Sequence, residues 1–167
     1  IVSGVADGYF RMLHNPASTL LHLGPGLAYG LANLHNAKKA GSGIVNIVGD
    51  HATYHLGYDA PLTSDIEGIA RPVSHWVKTS PNSRTIAADG ALAIAAACEA
   101  PGQVATLILP ADTAWGPADG VAETPKRKAL PKVSEEAVKA AAQMLSSGET
   151  ATLLLGGGGL SHRSLDL

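Results

Sequence analysis

The chain has 167 residues, of which 46% are hydrophobic and 16% charged, and its formal net charge at pH 7 is −2. This composition can form a sizeable core and excludes a disordered chain, and it leaves no basic excess for binding nucleic acid or an anionic membrane. No apolar run approaches the ~20 residues of a membrane-spanning helix, and the single cysteine, Cys98, excludes an internal disulfide framework and favours a cytoplasmic location.

Helical and strand patterns alternate along the first two thirds of the chain. Apolar spacing predicts helices at 2–13, 27–39, 66–70 and 83–99, and apolar runs predict strands at 17–23, 44–48, 72–77 and 104–109. Strands that are apolar throughout and alternate with helices are typical of a parallel sheet covered on both faces. We therefore expect an α/β fold with three layers and a mainly parallel sheet.

The pattern changes after residue 115. Residues 116–131 contain three prolines and the basic run Lys126-Arg127-Lys128, and they are interpreted as a linker with solvated charges. Ser134 is placed to cap a helix that ends near residue 147, and the run ATLLL at 151–155 predicts a buried strand. We expect a first domain at 1–115 and the start of a second α/β domain at 132–167. Both chain ends are interpreted as cuts through a longer protein.

His22 is the first candidate for chemistry. It ends a predicted strand and is followed by Gly24-Pro25-Gly26, where the next helix begins. In α/β sheets, ligands bind at this edge because glycines allow close approach and the helix N–H groups are free. The alternative is a histidine that hydrogen-bonds to the backbone of a tight turn.

The second candidate is the loop after the next strand, which begins with Asp50 and His51. This loop should lie at the same sheet edge as His22, so the two would form a cleft. A carboxylate beside an imidazole can tune its protonation, although a solvated polar loop remains the alternative. His55 follows His51 at a spacing compatible with a metal, but no third ligand has a suitable position, and we expect no metal site here.

Other features favour structural roles. His35 and His75 are isolated histidines and are interpreted as hydrogen-bonded structural groups, and Cys98 as a small apolar residue of an alanine-rich helix. The four glycines at 156–159 follow a predicted strand but lack the G-x-G-x-x-G spacing of a dinucleotide site.

Three segments of the chain carry a family resemblance: VADGYFRM at 5–12, LLHLGPGL at 20–27 and IVNIVGDH at 44–51. They resemble a helix, the T/H-S-G-P-G turn and the next strand of the thiamine-diphosphate-dependent enzymes, and of acetolactate-synthase-like proteins most of all. LLLGGG at 153–158 resembles the beginning of the family's central domain. The segments follow in the family's order over nearly the whole chain.

The resemblance implies a pyrimidine-binding domain, truncated at its start, followed by the beginning of the central domain. It implies thiamine diphosphate as the cofactor, with Mg²⁺ bound through a third domain that this chain does not contain. The glutamate that activates the cofactor would lie about two residues before Ile1. Whether FAD binds, as in acetolactate synthases, stays open. The resemblance also implies that the full-length enzyme is a homodimer or homotetramer.

The resemblance assigns individual residues as follows. His22 matches a catalytic histidine of benzoylformate decarboxylase, where acetolactate synthases usually have threonine, and Pro25 matches a residue that packs on the pyrimidine. Tyr29 falls where relatives usually have asparagine, and Asp50 where glutamine is common. His51 is a candidate from its loop position alone. We therefore predict His22 and His51 as acid–base residues, and Pro25, Tyr29 and Asp50 as cofactor contacts.

The resulting expectation is a fragment of an enzyme that acts on 2-oxo acids. Overall similarity favours decarboxylation of pyruvate with carboligation, as in acetolactate synthase, whereas His22 favours a decarboxylase of the benzoylformate or pyruvate type. The fragment alone is expected to be inactive. A non-catalytic, truncated α/β binding module is the alternative from a different class.

Overall fold

The computed structural model of the chain describes residues 1–123, 125–126, 129–130, 132–160, 164 and 166. Contacts between residues divide the chain into two units, Ile1–Arg127 and Lys128–Leu167. Arg127 and Lys128 of the basic run, and Thr124 and Pro131 of the predicted linker, lie outside the described residues. The described residues between 116 and 133 form neither helix nor strand.

Helices and strands alternate through the first unit. In chain order they are α1 (Val2–Leu13), β1 (Ala17–His22), α2 (Leu23–Ala40), β2 (Ile44–Asp50), α3 (Ile66–Ala70), β3 (Trp76–Thr79), α4 (Ile86–Ala97), β4 (Val104–Pro110) and α5 (Ala111–Trp115). Single 3₁₀ turns at Leu56–Tyr58 and Arg71–Val73 lie in the connections. None of the helices in the described part of the chain is long and apolar enough to cross a membrane.

The four strands form one sheet in the order β1-β2-β4-β3, and each adjacent pair is parallel. The last strand along the chain, β4, therefore lies inside the sheet between β2 and β3. β2 and β4 are buried along most of their length because they have a neighbour on each side and apolar residues on both faces. The predicted α/β fold with a parallel sheet is confirmed.

Helices cover the two sheet faces to different extents. On one face, Leu27 and Leu34 of α2 pack with strand residues such as Leu21, Val48 and Ile108, and α1 and α3 complete this layer. On the other face, α4 packs against β2, β3 and β4. The β1 side chains on this second face are exposed, and Leu20 is 75% exposed. The second helical layer thus stops short of β1.

A row of polar side chains crosses the interior of the sheet. The Thr19 hydroxyl donates to Asn46 Oδ1 at 2.7 Å, and the Asn46 amide donates to Thr106 Oγ1 at 3.2 Å. The Ser74 hydroxyl lies 2.7 Å from the Thr106 hydroxyl. All four residues are buried, so these bonds supply the partners that buried polar groups require. The row joins β1, β2 and β4 to the segment before β3.

The structure shifts several predicted boundaries. α2 begins at Leu23, so Gly24-Pro25-Gly26 forms its first turn, where the missing N–H of proline costs little. α4 begins at Ile86 because the side-chain oxygen of Asn82 accepts from the N–H groups of Arg84 and Thr85 and holds them in a turn. β3 begins at Trp76 because the 3₁₀ turn Arg71–Val73 occupies the start of the predicted strand.

The second unit contains α6 (Glu135–Leu145), which begins as predicted with Ser134 as its cap: the Ser134 hydroxyl accepts from the Ala137 N–H at 3.3 Å. The predicted strand at 151–155 is wrong, because these residues form no strand and Leu154 is 98% exposed. A buried parallel strand needs neighbouring strands, and the described part of this unit offers none. A 3₁₀ turn at Gly157–Leu160 follows.

Candidate functional site

The carboxyl ends of β1, β2 and β4 meet at one edge of the sheet. His22 is in register with Gly49, Gly49 with Leu109, and Asp50 with Pro110. Neighbouring strands lie ≈ 4.8 Å apart, so the residues that follow these strand ends share a small region. His22 is exposed there, whereas Asp50 and His51 are half-buried. In α/β sheets, ligands bind at this edge.

The junction between β1 and α2 is strained. Leu23 has φ of +54° although it is a leucine, and it is 4% exposed. Side chains rarely adopt this left-handed conformation, and such residues cluster at functional sites. Here the conformation lets α2 begin at Leu23, directly after His22. The His22 side chain accepts no hydrogen bond from the first turn of α2, so the N–H groups of that turn lie at the sheet edge without this cap.

Gly24 permits a close contact over this first turn. A Cβ atom at Gly24 would lie 2.3 Å from the Ser64 side chain, so any larger residue would displace the loop that crosses here. The glycine at this position is thus explained by packing between α2 and the segment that follows β2.

Pro25 and Tyr29 extend the site along α2. They are four residues apart and therefore share one helix face, and both are exposed. Tyr29 is 89% exposed and lies one turn farther from the strand ends than Pro25. The pair presents apolar ring surface beside the sheet edge.

The loop after β2 places His51 among aromatic rings. Asp50 Oδ1 accepts from the His51 backbone N–H at 2.7 Å. The His51 ring centroid lies 5.2 Å from that of His55, which in turn lies 5.5 Å from that of Tyr58. The Nε2 atom of His51 is shielded from water and has no hydrogen-bond partner within the described structure. An unpaired buried nitrogen is the kind of atom that a ligand can satisfy.

Asp112 is a residue of this region that the sequence did not indicate. Its Oδ1 accepts from the Thr53 N–H at 2.9 Å and its Oδ2 from the Thr53 hydroxyl at 2.5 Å. These bonds lower the pKa of Asp112 from its ordinary value. The contact joins residues 59 positions apart, on α5 and on the loop after β2, and no local sequence motif indicates it.

The structure brings His22, Pro25, Asp50 and His51 to the same edge, with Tyr29 one turn away. In the described residues, no three His, Cys, Asp or Glu side chains are grouped as metal ligands. Cys98 follows the last turn of α4 and is half-buried.

His75 has the structural role predicted for it. Its Nδ1 accepts from the Val104 N–H at 3.1 Å, so the ring serves as a backbone hydrogen-bond partner at the start of β4. Burial, together with the charge of Lys38, lowers the pKa of His75, which favours the neutral ring that this bond requires. His35 lies on the exposed surface of α2, with its Nδ1 3.4 Å from Asn36 Oδ1.

Comparison with known proteins identifies the class of this fold and site. Residues 2–74 match the family "Thiamine pyrophosphate enzyme, N-terminal TPP binding domain". A Mycobacterium tuberculosis protein named "Putative acetolactate synthase large subunit IlvX" is 49% identical over 158 residues, which cover 94% of this chain and 30% of that protein. The mitochondrial acetolactate synthase catalytic subunit of Aspergillus candidus is 33% identical over 72 residues, 43% of this chain and 10% of that protein.

A solved structure agrees with the fold. The X-ray structure of a thiamin diphosphate-dependent enzyme from Mycobacterium smegmatis, described as putative, superposes with a TM-score of 0.71 at 23% identity and covers 75% of this chain and 25% of that one. The chain thus belongs, through residues 2–74, to the N-terminal TPP-binding domains of the thiamine pyrophosphate enzymes, and it is acetolactate-synthase-like. It spans about a third of the first relative's length.

The residues at the sheet edge fit the pyrimidine part of thiamine diphosphate. Pro25 offers an exposed apolar ring, the first turn of α2 offers N–H groups, and His51 Nε2 offers an unpaired buried nitrogen.

Proposed function

We propose that this chain is the pyrimidine-binding part of a thiamine-diphosphate-dependent enzyme that decarboxylates a 2-oxo acid such as pyruvate and joins the product to an acceptor, as acetolactate synthases do. The observation that carries this proposal is the position of His22 at the β1–α2 junction, in register with Gly49 and at the same sheet edge as Asp50 and His51. The acetolactate-synthase-like relatives support the choice of reaction.

Each residue of the edge has a proposed role. Pro25, Tyr29 and Asp50 hold the pyrimidine ring, and His22 and His51 hold or move protons at their imidazole nitrogens. Thiamine diphosphate, when bound, would supply the stabilisation of the negative charge that loss of CO2 leaves on the former carbonyl carbon. An imidazole suits the proton steps because it can both donate and accept near neutral pH. Mg²⁺ would be bound by another domain, and we propose a homodimer or homotetramer for the full-length enzyme.

A second candidate reaction is simple decarboxylation, with release of an aldehyde. The exposed His22 at the sheet edge favours it, because protonation of the decarboxylated product requires an acid at that place. Products distinguish the two reactions. Carboligation of pyruvate yields acetolactate, whereas the lyase reaction yields acetaldehyde, or benzaldehyde from benzoylformate.

His22→Ala tests the proposal in the protein isolated from its native gene, with thiamine diphosphate, Mg²⁺ and pyruvate or benzoylformate. We expect kcat to fall about 100-fold, because a positioned acid–base group contributes ~10²–10⁴-fold. His35→Ala is the matched control, since His35 is an exposed histidine of α2, the helix that follows His22, and lies far from the edge; it should leave kcat unchanged. Equal turnover of the two variants would remove His22 from the mechanism.

The alternative from a different class is a non-catalytic α/β binding module. The intact mass of the native gene product separates the two cases. A mass several times the 17.0 kDa of this chain would fit an enzyme of which the chain is one part, whereas a mass near 17.0 kDa would favour the binding module.

A further inference from the structure

His51 holds a buried nitrogen without a partner, which is costly. Its Nε2 is shielded from water and receives no hydrogen bond within the described structure. Folding removes the hydrogen bond that water would supply and provides nothing in exchange. Other interactions must therefore keep the ring in this position.

Most of these interactions are made by neighbouring residues of the same loop. The Asp50 carboxylate accepts from the His51 N–H, and the His55 ring lies beside the His51 ring. The His55 N–H bonds back to Ala52 and the Tyr58 N–H to His55, so these contacts are all local. They define the shape of the loop and tie its start to β2 through Asp50, but they do not attach its later residues to the rest of the domain.

Asp112 provides the attachment. Among the described residues, the long-range hydrogen bonds made by residues 51–60 are the two from Thr53, and both end on Asp112. Thr53 is only two residues after His51, so any shift at Thr53 is transmitted to the imidazole. The short bonds accepted by both carboxylate oxygens form a bidentate contact, which fixes direction as well as distance.

Asp112 is itself held firmly. It lies in the first turn of α5, which begins directly after β4 in the centre of the sheet. The next residue, Thr113, is 2% exposed, and its hydroxyl donates to the Pro110 carbonyl at 2.6 Å. The carboxylate therefore belongs to the rigid sheet edge, while Thr53 belongs to the loop.

We propose that Asp112 is a positioning residue that, through Thr53, holds the His51 imidazole at the sheet edge with its Nε2 unpaired for a polar atom of the substrate. This inference rests on the proposed function for the identity of that substrate, a 2-oxo acid.

Matched variants of Thr53 and Asp112 test the attachment in this chain. Thr53→Ser keeps both hydrogen bonds, Thr53→Val keeps the shape but loses the hydroxyl, and Asp112→Asn loses an acceptor oxygen. The readout is the rate at which diethyl pyrocarbonate modifies each histidine, measured by peptide mass spectrometry. His22 is exposed and serves as the internal reference.

We expect His51 to react about 10-fold faster in Thr53→Val and Asp112→Asn than in the unaltered chain, with Thr53→Ser unchanged and His22 equally reactive in all. Asp119→Asn, which removes an exposed ion pair with Arg84, should leave His51 protected. Equal protection of His51 in every variant would overturn the proposal, because the loop would then be held without Asp112.

Turnover of the protein from its native gene tests the role toward substrate. We expect Asp112→Asn and Thr53→Val to lower kcat about 10- to 100-fold with little change in KM, because small misplacement of a reacting group costs that much. Unchanged kcat in both, with activity lost in His51→Asn, would overturn the positioning role. Full activity of His51→Asn would instead remove His51 from the proposed function, and the modification rates would still decide whether Asp112 holds the loop.

Discussion

Asp89 illustrates how a carboxylate can be buried in this small domain. Its side chain is 2% exposed and accepts from Lys78 Nζ at 2.6 Å, from the Ser80 hydroxyl at 2.8 Å and from the Thr85 hydroxyl at 3.1 Å. Burial alone would raise the pKa of Asp89, but these hydrogen bonds and the charge of Lys78 outweigh it and lower the pKa. The ionised carboxylate thus organises the loop that precedes α4.

We predict that Asp89→Asn lowers the free energy of unfolding at pH 7 by about 2–3 kcal/mol. The reason is that an amide has one acceptor oxygen and cannot accept from Lys78, Ser80 and Thr85 as the carboxylate does. Since the folded pKa lies below the unfolded one, the contribution of Asp89 is present above about pH 4 and is lost as pH falls through the folded pKa. In Asp89→Asn, the free energy of unfolding should therefore lack this part of its decrease at acid pH. Urea unfolding from pH 2.5 to 7 measures both effects.

Asp119→Asn is the control for this prediction. Asp119 pairs with Arg84 on the surface, where both side chains are more than 60% exposed, and such pairs contribute little. A loss of stability equal to that of Asp89→Asn would contradict the assignment of the effect to burial.

At the scale of elements, the row Thr19–Asn46–Thr106–Ser74 ties the sheet together from inside. Its members lie on different strands or connections, and Asn46 is fully buried on the central strand β2. A one-residue shift of β2 would move the amide to the opposite face and leave its partners unpaired. The row therefore specifies the register as well as contributing to stability.

We predict that Asn46→Val destabilises the domain by about 2–3 kcal/mol, because two buried hydroxyls each lose a partner. The measurement is the midpoint and slope of urea unfolding followed by circular dichroism. Asn36→Val serves as a control because Asn36 is exposed on α2. An Asn46→Val domain as stable as the control would show that the row is energetically neutral.

The same row shows what a sequence pattern can and cannot predict. The runs that became β1, β2 and β4 were predictable because their apolar residues are continuous. The hydrogen bonds of the polar residues inside these runs could not be predicted, because their partners lie 27 and 60 positions away in the sequence. The apolar run at 151–155 is misleading for the complementary reason: it has the composition of a strand, but the described residues of its unit contain no strand with which it could pair.

The candidate site was predictable to a similar degree. His22 and His51 could be placed at one edge because parallel strands end on the same side. The sequence predicts a turn at Gly24-Pro25-Gly26 before a helix at 27–39, because glycine and proline interrupt the helical pattern, whereas in the structure these residues form the first turn of α2. Asp112 could not be found, because only the completed sheet brings α5 to the loop after β2.

For the molecule as a whole, the proposed function assigns this chain only the pyrimidine-binding part of the cofactor site, with the diphosphate and Mg²⁺ bound by another domain. We therefore predict that thiamine diphosphate with Mg²⁺ does not raise the midpoint of thermal unfolding of this chain. A ligand at 100 times its Kd would stabilise by ≈ 2.7 kcal/mol, which a thermal scan resolves readily.

Differential scanning fluorimetry with millimolar cofactor measures this. The native gene product provides the comparison, and its midpoint should rise if the proposed function holds. A rise for this chain alone would contradict the prediction, because it would show that the residues of this chain are sufficient to bind the cofactor.

The position of β4 inside the sheet has a consequence for biosynthesis. Strands β1 and β2 leave the ribosome with α2 between them and can pair at once, because their contacts are local. The other edge of β2 must then wait for β4, whose partner residues follow 60 positions later, while β3 has already emerged without a neighbour. Until β4 is inserted, the nascent chain carries one unpaired strand, β3, and one open edge on β2, and these are exposed to wrong partners during that interval.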